Sequence, residues 1–155
     1  MTRATSKPGV SCTVVVLDPA WRRALPGAER LVRKAARAAI GAKRGSLTVA
    51  LADDKRVRAL NARDRKKDKP TNVLSYPSGE TSFMGDVVLA RQTLWREAKE
   101  QKKSPADHLV HLVVHGTLHL LGHDHETSDA DADRMEALER RILKRLGIAD
   151  PYLVK

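Results

Sequence analysis

All 6 histidines of this 155-residue chain lie between positions 108 and 125, in HLVHLVVHGTLHLLGHDH. They are His108, His111, His115, His119, His123 and His125. Neutral imidazoles are metal ligands, and three of these stand at spacings that one ion can use. Residues four apart on a helix share a face, with Cβ atoms about 5–6 Å from each other. The rings of His115 and His119 can therefore converge on a cation at about 2.0–2.1 Å. Gly122 suits a left-handed helix stop, which would let the chain double back and bring His125 to the same point. Three such ligands leave the fourth corner of a tetrahedral ion open for water.

The plainer account is a buried helix with histidines at its ends. A single histidine would favour that account. The H-x3-H-x5-H spacing with a glycine at the turn favours a metal. It matches the long zinc-protease pattern H-E-x-x-H-x-x-G-x-x-H except at one residue. Gly116 stands where that pattern has the glutamate that takes a proton from the metal-bound water. The cage is kept and the peptidase's base is missing. His108 and His111 read as packing residues or as partners of the ligands. His123 reads as outer-shell or solvent-facing.

The elements that must hold these rings follow from periodicity. Ser104-Pro105-Ala106-Asp107 is a helix start, with a capping hydroxyl and proline at the first helical position. The helix beyond it is apolar nearly all round, so it lies in the core and makes a rigid base for ligands. Val10 to Leu17 and Leu47 to Leu51 read as strands, and Ala28 to Ile40 as an amphipathic helix ended by Gly41. Asp53 or Asp54 caps a helix to about Arg63. Val73 to Tyr76 and Gly85 to Ala90 are further strands, Arg91 to Lys103 a helix, and Ser128 or Asp129 caps a final helix in which Met135 faces the core. The order β-α-β-α-β-β-α-α-α predicts a single α+β domain over residues 10–155 behind a flexible tail, 1–9. It has a mixed sheet of about four strands packed with about five helices, and the histidine helix is central.

Composition narrows the function. With 2 Trp, 2 Tyr and 1 Phe, the core must be aliphatic and an aromatic platform for bases is not expected. The formal net charge of +10 favours a polyanionic partner, nucleic acid before membrane. Charge is segregated. Arg63 to Lys69, RDRKKDK, is the most basic segment, whereas Asp124 to Glu139 reads as an acidic patch beyond the histidine turn. Cys12 is the only cysteine, which accords with a reducing cytoplasm. No apolar run approaches the length of a membrane span, and the first residues do not read as a signal peptide.

HGTLHLLGHDH resembles the H-G-x-L-H-L-x-G-x-D-H signature of the YbeY family of bacterial rRNA-maturation endoribonucleases. LNARDRKKDKPTNVLSYP resembles that family's second motif, L-N-x-x-Y-R-x-x-x-x-P-T-D-V-L-S-F-P, and GDVVLA fits the strand that follows it. The resemblance implies a metal-dependent, single-strand-specific endoribonuclease acting in ribosomal RNA maturation and ribosome quality control, in the cytoplasm. It also implies the small ribosomal subunit and its assembly factors as partners. By the same resemblance, His115, His119 and His125 hold one Zn2+, and Arg65 is the catalytic arginine that binds phosphate. Arg63, Lys66, Lys67 and Lys69 are expected to contact the RNA backbone. The chain departs from the pattern at Asp64 for an aromatic, Asn72 for Asp, Tyr76 for Phe and His123 for Tyr. The competing readings are a zinc metallopeptidase-like hydrolase and a non-enzymatic ribosome assembly factor with a structural zinc.

Overall fold

The computed structural model describes residues 10–43, 45–80, 82–123 and 128–152. The expected tail, 1–9, and the third expected ligand, His125, lie outside the described residues. β1 (Val10–Val16) is followed by α1 (Ala20–Ala24), α2 (Ala28–Ile40), β2 (Gly45–Ala52) and α3 (Asp54–Arg65). Then come β3 (Val73–Pro77), β4 (Phe83–Ala90), α4 (Arg91–Glu100), α5 (Pro105–Leu120) and α6 (Asp129–Arg145). The strands form one mixed sheet in the order β1-β2-β4-β3. β1 and β4 pair parallel to β2, and β3 runs antiparallel along β4. The expected α+β class and four-stranded mixed sheet are therefore present.

The two faces of the sheet are covered unequally. Leu47, Val49 and Leu51 of β2 and Val87 and Leu89 of β4 point into the main core, where residues of α2, α5 and α6 meet them. The opposite face carries a smaller cluster under α3: Ala52, Val57, Leu74, Val88 and Ala90. Alternation along β1 follows the strand period, with Cys12, Val14 and Val16 packed inward and Ser11, Thr13 and Val15 exposed. α5 packs on α2, β3, β4, α4 and α6, which is why its sequence is apolar on nearly every side.

The helix starts obey local chemistry. The Ser104 hydroxyl accepts from the Asp107 amide at 3.1 Å, with Pro105 in the first turn. Ser128 accepts likewise from Asp131 at 3.0 Å. Asp53, not Asp54, caps α3, accepting from the Arg56 amide at 2.9 Å. Asp54 instead accepts from the Thr93 amide and hydroxyl at 2.9 and 2.8 Å, which ties α3 to α4.

One helix was not expected. α1 forms around Trp21, which is 0% exposed and donates from its indole nitrogen to the Ala52 carbonyl at 2.8 Å. Its ring meets that of Trp95 edge-on at 5.2 Å. A segment this short has no periodicity to reveal it, and its stability comes from the buried indole. The core is otherwise aliphatic, as the composition predicts.

Candidate metal centre

α5 turns His111 and His115 toward α6, and His115 and His119 line a cavity shared with β3. His115 and His119, one turn apart, bring their Nε2 atoms to 3.2 Å. Two nitrogens each about 2.0–2.1 Å from one tetrahedral ion stand roughly 3.3 Å apart, so this pair fits a shared cation. The same approach also lets His119 donate a ring proton to His115. Among the described residues no set of three His, Cys, Asp or Glu side chains forms a complete cage. α5 ends at Leu120, and Gly122 adopts φ +98°, the left-handed turn predicted for it.

The orientation of His115 is set from behind by a residue the sequence reading placed elsewhere. Glu139 of α6 is 0% exposed. Its Oε1 lies 2.6 Å from His115 Nδ1, and its Oε2 lies 3.0 Å from His111 Nε2. The Tyr152 hydroxyl donates to the same Oε2 at 2.5 Å. Burial pushes the Glu139 carboxyl up, but its bonds to His111, His115 and Tyr152 outweigh that and hold it down at about 2. An ionised carboxylate only accepts, so both histidines must donate to it. His115 is therefore protonated at Nδ1, and in the neutral imidazole that tautomer carries its lone pair at Nε2. Burial, ahead of the opposing Glu139 contact, lowers the His111 pKa and favours its neutral form.

Glu139 thus leaves the acidic patch to which its sequence position assigned it. Its place in the Met135, Glu139, Ile142 stripe of α6 was the signal available, since both flanking residues are buried. Asp124 and Glu126 of that patch lie outside the described residues. His108, also buried, pairs with Glu97 of α4 at 2.8 Å, and Asn72 donates to the same oxygen at 2.9 Å. Asn72 therefore serves the His108–Glu97 contact, and His108 is a buried residue paired with α4 that touches neither His115 nor His119 in these bonds.

The histidine pair opens onto a cavity of about 470 Å³ lined by Arg65, Asn72, Ser75 and His123 among others. Arg65 is the last residue of α3. Among the described residues no ion pair involves its guanidinium, so a cation faces the same space as the rings. A more open groove of about 690 Å³ continues past Arg65 toward Arg63, Asp64 and Tyr76. There the Arg63 guanidinium grips both oxygens of Asp64 at 2.6 and 2.9 Å, and the Tyr76 hydroxyl donates to Asp64 at 2.9 Å. Burial first, then the Asp64 contact, pushes Tyr76 up to about 12, so it remains a donor. The Asp64 and Tyr76 departures are thus partners of each other, and Arg63 is engaged with them.

Lys66, Lys67 and Lys69 are exposed and line neither opening. Lys66 caps α3 in the left-handed conformation at φ 58°. Buried Asn61 fixes the turn, its side chain donating to the Lys69 carbonyl at 3.0 Å. The basic segment is therefore a held loop that presents its ammonium groups outward.

Gly116 lies against the sheet. A Cβ built there would stand 2.8 Å from Val87 Cγ1 and 3.2 Å from Ser75 Oγ. Any side chain at that position must displace the stiff Val87 side chain, so the packing of α5 on β4 disfavours the peptidase's glutamate there.

A scan against protein families matches residues 22–147 to the family described as Endoribonuclease YbeY. The Endoribonuclease YbeY of Azorhizobium caulinodans is 49% identical over 151 residues, covering 90% of this chain and 94% of that one. That of Chelativorans sp. is 53% identical over 131 residues, covering 80% of each. A solution structure of a Thermotoga maritima protein shares the fold with a TM-score of 0.57 at 21% identity, covering 93% of this chain and all 100% of that one. The match takes in the histidine helix, the Arg65 helix end and the strands between them, and the chain belongs to the Endoribonuclease YbeY family.

Proposed function

We propose that this chain is a metal-dependent endoribonuclease that cuts single-stranded RNA during ribosomal RNA maturation and ribosome quality control. Its relatives carry the name endoribonuclease, which supports the reaction class. The observation that carries the metal reading is the buried Glu139. It is a carboxylate at 0% exposure whose only ion-pair partners among the described residues are His111 and His115. A buried charge needs compensation. His111, His115 and the Tyr152 hydroxyl all engage it, and a cation held on the Nε2 side of His115 would add to that compensation through the ring.

His115 and His119 would hold that ion with His125 as the third ligand, and Zn2+ suits an all-imidazole set. When bound, it supplies Lewis acidity toward a phosphoryl oxygen and lowers the pKa of water. The rest is work for the chain's own groups. Glu139 keeps the His115 proton at Nδ1 and the lone pair at Nε2. Arg65, across the cavity, donates to the scissile phosphate and balances the charge that grows in the transition state. RNA brings its own 2′-hydroxyl as a nucleophile: water in the site would take its proton, the 2′-oxygen would bond to phosphorus as the P–O5′ bond breaks, and the departing 5′-oxygen would take a proton from water, so the step does not call on a carboxylate at position 116. Lys66, Lys67 and Lys69 add sequence-independent attraction for flanking phosphates. Partnership with the small ribosomal subunit and its assembly factors, and a cytoplasmic location, belong to the same proposal. Among the described residues no helix is long and apolar enough to cross a membrane.

Incubation of the zinc-loaded chain with single-stranded RNA, duplex RNA and an unstructured peptide tests the reading. Internal cuts in the single strand alone are expected. Peptide hydrolysis, or no cleavage of any substrate, contradicts it.

A further inference from the structure

We propose that Tyr152, acting through Glu139, positions His115, so that the segment after α6 sets the affinity of the site for a divalent cation. The affinity half of this rests on the metal reading above.

Both oxygens of Glu139 are engaged: Oε1 by His115, and Oε2 by His111 and the Tyr152 hydroxyl at 2.5 Å. A carboxylate held at Oε2 cannot swing, so Oε1 stays at the Nδ1 proton of His115. That bond selects the tautomer with Nε2 bare and aims the ring. Tyr152 is itself held on three sides. Its amide donates to Asp150 at 2.8 Å, and the Arg140 guanidinium reaches the same carboxylate at 3.1 Å. Arg140 also sits 5.3 Å over the tyrosine ring, whose edge meets the His111 ring at 5.8 Å. A chain of contacts thus runs from Arg140 and Asp150 on the surface, through Tyr152 and Glu139, to His115. Burial, ahead of the Glu139 anion, keeps the phenol protonated and hence a donor.

The test uses the full chain and two variants. Tyr152→Phe keeps the ring and its packing but deletes the hydroxyl. Glu139→Gln replaces an acceptor oxygen with a donor. Partners behind a metal-ligating histidine are worth about 10–100-fold in affinity. Zinc competition against a chromophoric chelator should show Kd raised roughly 10-fold in Tyr152→Phe and about 100-fold in Glu139→Gln. Imidazole 15N spectra of the metal-free chains should show His115 as the Nδ1–H tautomer in the wild type and as a mixture in both variants. A purely structural tyrosine would not move that signature. If Tyr152→Phe leaves either the zinc affinity or the His115 tautomer unchanged, the proposal is overturned. If the wild-type chain binds no zinc, the metal reading fails by itself, and the ring spectrum alone decides the role of Tyr152.

Discussion

Arg65 is an arginine with no ion-pair partner among the described residues, at a helix end, facing two imidazoles across a cavity. Its neighbour Arg63 has a carboxylate and Arg65 does not, so only Arg65 has its donors to spare for a phosphate. A donor aimed at charge that develops in the transition state contributes more to turnover than to binding. Arg65→Ala is therefore expected to lower kcat by about 10²–10³-fold while RNA affinity changes little. Steady-state kinetics beside a direct binding titration separate the two, and lost affinity with unchanged kcat would reject the catalytic role. The His115–His119 pairing was legible in the sequence because i, i+4 is a local geometry. Glu139 was not, because a carboxylate in an acidic run is buried only when a helix from elsewhere brings histidines to it. The same holds for the Asp64–Tyr76 contact, which joins residues of α3 and β3.

Among the elements, the contact between α5 and the sheet governs the site. Ser75 donates from its hydroxyl to the Gly116 carbonyl at 3.3 Å, and Val87 fills the space a side chain at 116 would need. Gly116→Ala gains roughly 1 kcal/mol of helix propensity but overpacks a stiff valine at a cost of about 1–3 kcal/mol. A net loss of about 1 kcal/mol is expected, with weaker zinc binding because His115 is carried on the displaced turn. Thermal melts of the metal-free chain and chelator competition would show it, and a variant as stable as the wild type with the same zinc affinity would refute the packing argument. Most elements could be read from the sequence, since periodicity, Ser104, Ser128 and Gly122 mark them locally. The short α1 could not, because Trp21 stabilises it by contacts with Ala52 and Trp95 that are distant in sequence.

At the scale of the whole molecule, charge acts on both stability and binding. Burial raises the Asp18 carboxyl, but the Arg91 bond at 2.6 Å and the Ala20 amide more than offset it, so the folded-state pKa is depressed. Glu97 is depressed likewise, with burial opposed by His108 and Asn72. A depressed carboxyl stabilises the fold above its unfolded-state pKa of about 4 and loses that contribution as pH falls through the folded-state value. Melting temperature should therefore hold down to about pH 5 and drop below pH 4. In the Asp18→Asn, Glu97→Gln double variant the acid-side drop should shrink, and an unchanged profile would count against these pairs. The net charge of +10 made a nucleic-acid partner legible, but not its docking path. The three exposed lysines of the held loop supply one test of that path. Changing Lys66, Lys67 and Lys69 to alanine should lower the salt slope of single-stranded RNA affinity by about 2, at about 0.7 for each lost phosphate contact. An unchanged slope would place the RNA elsewhere.

The most direct measurement is metal content and RNA cleavage on the same purified samples of wild type and His119→Ala. The wild type should carry about one zinc per chain and cut single-stranded RNA. His119→Ala should lose both together while keeping its fold by circular dichroism. A variant that retains the ion and the cleavage, or a metal-stripped wild type that cuts as fast as the loaded protein, would contradict the account.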